Sequence, residues 1–274
     1  MNKQDKGNGN RGIEWTDHTW NPATGCFHGC RWRMPDGTVA QCYAETIAEG
    51  VAHATYPHGF AHHYWHPERL LEPLTVSTPS KIFLDSMSDL MGHWVHDTQI
   101  DAVLDICKRA DWHTFQLLTK HPRRLLHFDY PPNVWIGVSM VPDVINGGEL
   151  TDIQQERWMH SAFEVLGELK DRGPNVTFMS FEPLSWPVAH LVDPVTLSWS
   201  IIGAASRGSH YYAPEKRAVL GLLTVLKDRD HPVPVFMKGN LRPFAQGFDW
   251  LEEFPDAPAP ANPSAQLSMF GEGQ

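Results

Sequence analysis

The chain has 274 residues, enough for one large domain with a full core, and a formal net charge of −10 from 22 basic and 32 acidic side chains. That balance argues against a surface that coats DNA by charge, while leaving room for a nucleic-acid substrate held locally. No apolar run approaches the ~18–20 residues needed to cross a bilayer, and the polar, Gly/Asn/Lys-rich stretch Met1 to Arg11 lacks the apolar centre of a signal peptide. No membrane contact and a cytoplasmic location are therefore expected.

In chain order, residues 1–11 read as a flexible N-terminus and 12–254 as one folded domain. A weak strand precedes Cys26. Helices are expected at Gln41–Val51, Gln99–Ala110, Gln155–Arg172 and Pro214–Arg229, and strands at Lys81–Asp85, Thr114–Leu118, Val134–Ser139, Val176–Phe181, Trp199–Gly203 and Val233–Met237. In the second helix Ile100, Val103, Leu104 and Cys107 share one face, which makes Cys107 a core residue rather than a ligand. Trp158, Ala162, Val165, Leu166 and Leu169 form a similar stripe in the third. The cluster His53, His58, His62, His63 and His66 reads as a polar surface loop. Strands alternating with helices imply a parallel sheet. Their number in one domain, with no glycine-rich phosphate-binding motif, suggests a partial or full β/α barrel.

Polar residues follow these strands: Asp85, Ser86, Ser88 and Asp89; Thr119 and Lys120; Ser139; Glu182; Ser206 and Arg207; Lys238. In β/α barrels those positions form the active-site cup. The last segment differs in kind. Pro255 to Ser264 is a Pro/Ala-rich linker, and 255–274 reads as a disordered tail carrying the apolar anchor Gln266-Leu267-Ser268-Met269-Phe270.

The chain has four cysteines, and three of them lie in one window. Three residues separate Cys26 from Cys30, and eleven separate Cys30 from Cys42. In a reducing compartment such a group points to metal ligation. Two chemistries stay open. Three thiolates can hold an iron–sulfur cluster with one iron free to take a small molecule. With a histidine, of which His28 is nearest in sequence, they can hold structural zinc.

The segment Asn21-Pro22-Ala23-Thr24-Gly25-Cys26-Phe27-His28-Gly29-Cys30, completed by Cys42-Tyr43-Ala44, resembles the cluster loop of radical S-adenosylmethionine enzymes, in particular the spore photoproduct lyase and DNA repair photolyase branch. That branch has two residues where this chain has Arg31 to Gln41, an insert containing the turn sequence Met34-Pro35-Asp36-Gly37. Over residues 12–240 the chain also resembles a phage and prophage family of three-cysteine proteins. The similarity runs through Glu14-Trp15-Thr16, Trp20-Asn21-Pro22, Ser86-Met87-Ser88-Asp89-Leu90, Leu118-Thr119-Lys120, Gly137-Val138-Ser139, Glu182-Pro183-Leu184 and Phe236-Met237-Lys238. It departs at Met140-Val141 and at Gly203-Ala204-Ala205-Ser206, where that family carries glutamates.

The radical S-adenosylmethionine resemblance implies a four-iron cluster on Cys26, Cys30 and Cys42. It implies S-adenosylmethionine on the free iron and hydrogen abstraction by a 5′-deoxyadenosyl radical. Tyr43, Ser88, Ser139 and Glu182 are then expected to contact that cofactor, with Asp85, Asp89, Lys120 and Lys238 on the substrate side. The expected substrate is DNA or a nucleotide, in the cytosol of a bacterial host, with room for a companion phage protein that completes the site. The tail resembles the pentapeptide that binds the bacterial sliding clamp, through Gln266, Leu267, Met269 and Phe270. Two alternatives remain at this point: a non-enzymatic zinc module that recruits a partner to replicating DNA, and an enzyme acting on a small metabolite or peptide.

Overall fold

The computed structural model describes residues 1–4, 12–207 and 210–256. The chain runs β1 (Asn2–Lys3), β2 (His18–Trp20), β3 (Ala23–Thr24), β4 (Arg31–Arg33), β5 (Val39–Gln41), α1 (Tyr43–Glu49), β6 (Tyr64–Trp65), β7 (Lys81–Leu84), α2 (Asp97–Arg109), β8 (Thr114–Thr119), β9 (Val134–Ser139), β10 (Val144–Ile145), β11 (Gly148–Glu149), α3 (Asp152–Arg172), β12 (Thr177–Phe181), β13 (Trp199–Ile202), β14 (Ala205–Arg207), β15 (His210–Tyr212), α4 (Lys216–Leu226) and β16 (Val235–Met237).

The main sheet has the order β1-β2-β7-β8-β9-β12-β13-β16. Every neighbouring pair is parallel except β1 with β2, where Asn2 pairs with Thr19 and Lys3 with His18. The first residues of the expected flexible N-terminus are thus part of the sheet, because an edge strand's free N–H and C=O groups bind an extended segment. The remainder of that segment, 5–11, lies outside the described residues, as does the tail from 257 onward.

One face of each strand packs on the helices. Ile82, Leu84, Leu117, Val138, Met179, Phe181, Val235 and Met237 join Ile100, Val103, Cys107, Ala162, Leu166 and Leu222 in one buried core. Cys107 is fully buried there. The other face carries a second cluster of Phe83, Trp135, Phe178, Trp199, Ile201 and Phe236 with Trp15. β7 and β13 are four steps apart in the sheet, about 19 Å if it were flat. Yet the Trp15 ring lies 4.7 Å from Phe83 and 6.1 Å from Trp199. The sheet therefore curls around these rings as an open, partial barrel, its ends left at β1 and β16.

The shifts from the expected boundaries have local causes. Asp85 adopts φ 51°, in the left-handed region that ends a strand, so β7 stops at Leu84. Thr151 caps α3: its Oγ1 accepts from Gln154 N at 3.3 Å, and Gln154 Oε1 accepts from Thr151 N at 2.9 Å. That box moves the helix start to Asp152. Pro234 has no N–H to give, and β16 begins one residue later. No helix among the described residues is long and apolar enough to cross a membrane.

Candidate functional site: a three-cysteine cavity

The Arg31–Gln41 insert folds as a β-hairpin. Arg31 pairs with Gln41, Trp32 with Ala40 and Arg33 with Val39. Its turn is closed by Met34 N to Thr38 O and Gly37 N to Met34 O, both 2.9 Å, with Gly37 at φ 81°. Only glycine takes that conformation without strain, and a three-residue loop ending in it is a favoured hairpin connection. Carried one step outward, the register sets Cys30 opposite Cys42. A gap of eleven residues in sequence is thereby closed in space. Val144 of β10 pairs with Arg31, Asp143 Oδ2 accepts from Arg33 N at 2.7 Å, and Arg31 grips Glu45 of α1 at 2.5 and 3.0 Å.

Cys26 is brought in by a second set of contacts. Gly25 N donates to Met87 O and Cys26 N to Phe60 O, each at 2.9 Å. Asn21 Oδ1 accepts from Met87 N at 3.0 Å and Ser86 Oγ at 3.2 Å, and Asp85 Oδ1 accepts from Ala23 N at 3.1 Å. The Asn-Pro and Ser-Met-Ser-Asp segments of the sequence are the two halves of this interlock. Gly25 sits at φ 84°, and a Cβ there would stand 1.7 Å from His62 O. Gly25→Ala is therefore expected to displace the cysteine loop, lowering metal content far more than it lowers helix content; parallel metal analysis and circular dichroism check this.

Cys26, Cys30 and Cys42 all line one cavity of about 680 Å³ over the C-terminal ends of the parallel strands. Tyr43, Asp85, Ser88, Asp89, Lys120, Ser139, Glu182 and Lys238 line it too, so every candidate outside the tail reaches one place. The tail residues Gln266, Leu267, Met269 and Phe270 lie outside the described residues.

Within the cavity these side chains differ in what they have left to offer. Asp89 is buried and saturated. Its Oδ1 accepts from Thr119 Oγ1 at 2.6 Å and Met91 N at 3.0 Å; its Oδ2 accepts from His28 Nε2 at 2.8 Å and Lys120 N at 2.9 Å. Burial alone would raise this carboxyl's pKa. The bond and charge from His28, then Thr119 and His121, outweigh that and hold it below the ordinary carboxylate range. Expected as a substrate-side group, Asp89 is instead a fixed brace between the cysteine loop and the end of β8. His28, the nearest zinc candidate in sequence, has its Nε2 engaged by that brace. Ser88, expected at the cofactor, donates its hydroxyl to Gly25 O at 2.7 Å and supports the same loop.

Asp85 contrasts with Asp89. Burial pushes its carboxyl well above the usual range, the Ala23 N–H only partly offsetting it, and its Oδ2 has no hydrogen-bond partner among the described residues. Glu182 and Lys238 form an ion pair across the cavity wall. Tyr43 is 48% exposed at the rim and donates to Ser86 O at 2.6 Å. Trp32, which sequence reasoning did not single out, is buried against Cys30, Met34, Ala40 and Ala205 and lines the cavity. Glu14, another residue missed, accepts from Gly239 N at 2.8 Å and ties the start of the domain to the Lys238 loop.

The thiols fit a bound group that stabilises thiolates. Burial raises Cys26 well above its ordinary value and pushes Cys30 up to about 12, Lys120 only partly opposing it, so both are neutral without added positive charge. Among the described residues no three His, Cys, Asp or Glu side chains are gathered closely enough for a single metal ion. Of the histidine cluster, His53, His58 and His62 are exposed, while His63 contacts Gln99 at 3.1 Å and His66 contacts Thr24 at 2.9 Å.

The fold is similar to solved structures of spore photoproduct lyase. A cysteine-to-alanine mutant with dinucleoside spore photoproduct matches with a TM-score of 0.51 at 9% identity, covering 80% of this chain and 76% of that one. A cysteine-to-serine mutant matches at 0.48 and 10%, covering 81% and 64%. A double mutant with bound AdoMet and dinucleoside spore photoproduct matches at 0.42 and 11%, covering 74% and 58%. The chain spans less than two thirds of the length of these last two. At such identity the likeness concerns the fold, an α/β architecture on a large, mostly parallel sheet. No curated protein matches the chain. The model of a family described as protein of unknown function (DUF5131) matches residues 10–217, a span that includes all three clustered cysteines, and the chain belongs to that family.

Proposed function

We propose that the protein is an iron–sulfur enzyme of the radical S-adenosylmethionine type, acting on DNA or nucleotides to modify a base or repair a lesion. The observation that carries this is the hairpin register that sets Cys30 opposite Cys42, beside Cys26, in a cavity over the strand ends. Spore photoproduct lyase, whose fold is similar, is solved with AdoMet and with a dinucleoside photoproduct. Cys26, Cys30 and Cys42 would hold a four-iron cluster, which when bound supplies the electron that cleaves S-adenosylmethionine to a hydrogen-abstracting radical.

The chain's own side chains position and shield. Tyr43, Ser139 and Glu182 face the cofactor, and Glu182 is kept in place by Lys238. Lys120 and Asp85 face the substrate, Asp85 with a carboxyl that burial biases toward its protonated form. Asp89 and Ser88 hold the cysteine loop. Anaerobic reconstitution with iron, sulfide, S-adenosylmethionine and a reductant is expected to give labile sulfide and 5′-deoxyadenosine. One tightly held zinc with no labile sulfide would replace this assignment with the zinc module.

The pentapeptide at Gln266 to Phe270 supports recruitment by the bacterial sliding clamp. A glutamine amide and three apolar side chains on a Pro/Ala linker suit a groove, and tethering would raise the local concentration of an acidic protein on DNA. Removing residues 265–274 is expected to abolish clamp capture in a pull-down and leave 5′-deoxyadenosine formation intact; capture by the shortened protein would refute it.

A further inference from the structure

Three stretches that stand out in the sequence, Glu14-Trp15-Thr16, Glu182-Pro183-Leu184 and Phe236-Met237-Lys238, converge on one side of the cavity. Glu182 and Lys238 form their ion pair there, and neither is sealed: 22% and 17% of their side chains stay exposed. The pair lies flat over Gly203, just past the end of β13. A Cβ at Gly203 would stand 2.8 Å from Glu182 Cγ and 3.1 Å from Lys238 Cδ. Both aliphatic stems thus touch backbone, and a small movement of the Lys238 main chain moves the pair.

That main chain is tied on both flanks. Lys238 N donates to Ile202 O at 2.9 Å. The Asn240 amide engages both backbone groups of Ala204, accepting from its N at 3.0 Å and donating to its O at 2.6 Å. Between these ties lies the Lys238–Gly239 peptide. Its N–H is taken by the Glu14 carboxylate at 2.8 Å, a charge-assisted bond and so a strong one. Glu14 is itself held. Ile13 N donates to Gln4 Oε1 at 2.8 Å, just after β1. The Trp15 ring is wedged between Phe83 and Trp199, and Gln116 Nε2 donates to Trp15 O at 3.3 Å. Glu14 precedes β2, Gly239 follows β16, and the sheet is open between its β1 and β16 ends. Their bond therefore bridges the open side of the barrel.

We propose that Glu14 is a positioning residue that clasps this seam and, through Gly239, fixes the Lys238–Glu182 pair that receives the cofactor. This rests on the S-adenosylmethionine reading above. Glu14 stands behind the cavity wall rather than on it. Without its carboxylate the Lys238–Gly239 peptide is free to turn, the ammonium leaves its seat on Gly203, and Glu182 loses its partner.

The test has two readouts. One is S-adenosylmethionine affinity of the anaerobically reconstituted protein by equilibrium dialysis. The other needs no ligand: reductive methylation followed by peptide mass spectrometry reports whether the Lys238 ammonium is held in its pair. Glu14→Ala is expected to weaken S-adenosylmethionine about fivefold or more and to speed Lys238 labelling, with iron and sulfide at the wild-type level. Glu14→Gln keeps an acceptor oxygen and should restore most of both. Gly239→Ala attacks the same contact from the other side, since its Cβ would stand 2.3 Å from Glu14 Oε1. It should reproduce the loss, and it decides the matter if Glu14→Ala does not fold. Two changes at one contact do not add, so the double variant should bind no worse than the weaker single one. In a Lys238→Met background Glu14→Ala should lower affinity no further. Wild-type labelling or wild-type affinity in folded Glu14→Ala overturns the proposal, as do additive losses. A protein that holds no labile sulfide and binds no S-adenosylmethionine overturns the enzyme assignment instead, and Lys238 labelling then decides the clasp by itself.

Discussion

Replacing Cys42 with alanine is expected to remove the iron–sulfur absorbance of the reconstituted protein and to bring bound iron to background. The hairpin register places Cys42 opposite Cys30, since Arg31 pairs with Gln41 immediately inside both. With two thiolates left, a cubane loses a corner ligand, and no other described cysteine can supply it: Cys107 is fully buried in the α2 core. Cys107→Ala is the control, expected to keep full iron while costing a modest amount of stability through lost packing. Full iron in Cys42→Ala would disprove the ligand assignment.

The second large effect is at Asp89. Asp89→Ala strands four buried or half-buried donors at once, from His28, Met91, Thr119 and Lys120. Removing one partner of a buried ion pair costs about 3–5 kcal/mol. In a chain of this length that corresponds to a fall in Tm on the order of 10 °C. The loss should spread to the proposed metal site, because His28 lies between Cys26 and Cys30. Asp89→Asn, which keeps the shape and loses the charge, is expected to recover part of the stability. A melting temperature within about 2 °C of wild type for Asp89→Ala would show that the brace is not structural.

These two experiments probe features of unequal legibility. The cysteine window was visible in the chain because three reactive side chains in seventeen residues, Cys26 to Cys42, are chemically conspicuous whatever the fold. The strand-end polar residues were visible because buried parallel strands are continuous apolar runs, and the first charged residue after each marks its exit. Asp89 was visible as a strand-end carboxylate but not as a brace. Its partners come from 28, 91, 119 and 120, and no local pattern joins those positions. Trp32 went unnoticed although its signal was present: Cys30, Trp32 and Met34 alternate with arginines, followed by a Pro-Asp-Gly turn and Val39-Ala40-Gln41-Cys42. That is a hairpin signature, hidden because the segment read as an interruption of a known spacing rather than as structure.

By itself the sequence determined the α/β class, the main run of strands and helices, the core faces and which thiols are candidate ligands, since these depend on side-chain chemistry and short periodicities. Only the tertiary structure decided that the eleven-residue insert is a hairpin wall, that the sheet curls without closing, and that Asp85 and Asp89 have opposite electrostatic fates four residues apart. The physical reason is common to all three: hydrogen-bond saturation, register and curvature depend on partners distant in the chain. A carboxyl buried against four donors and a carboxyl buried against one look the same until those partners are in place.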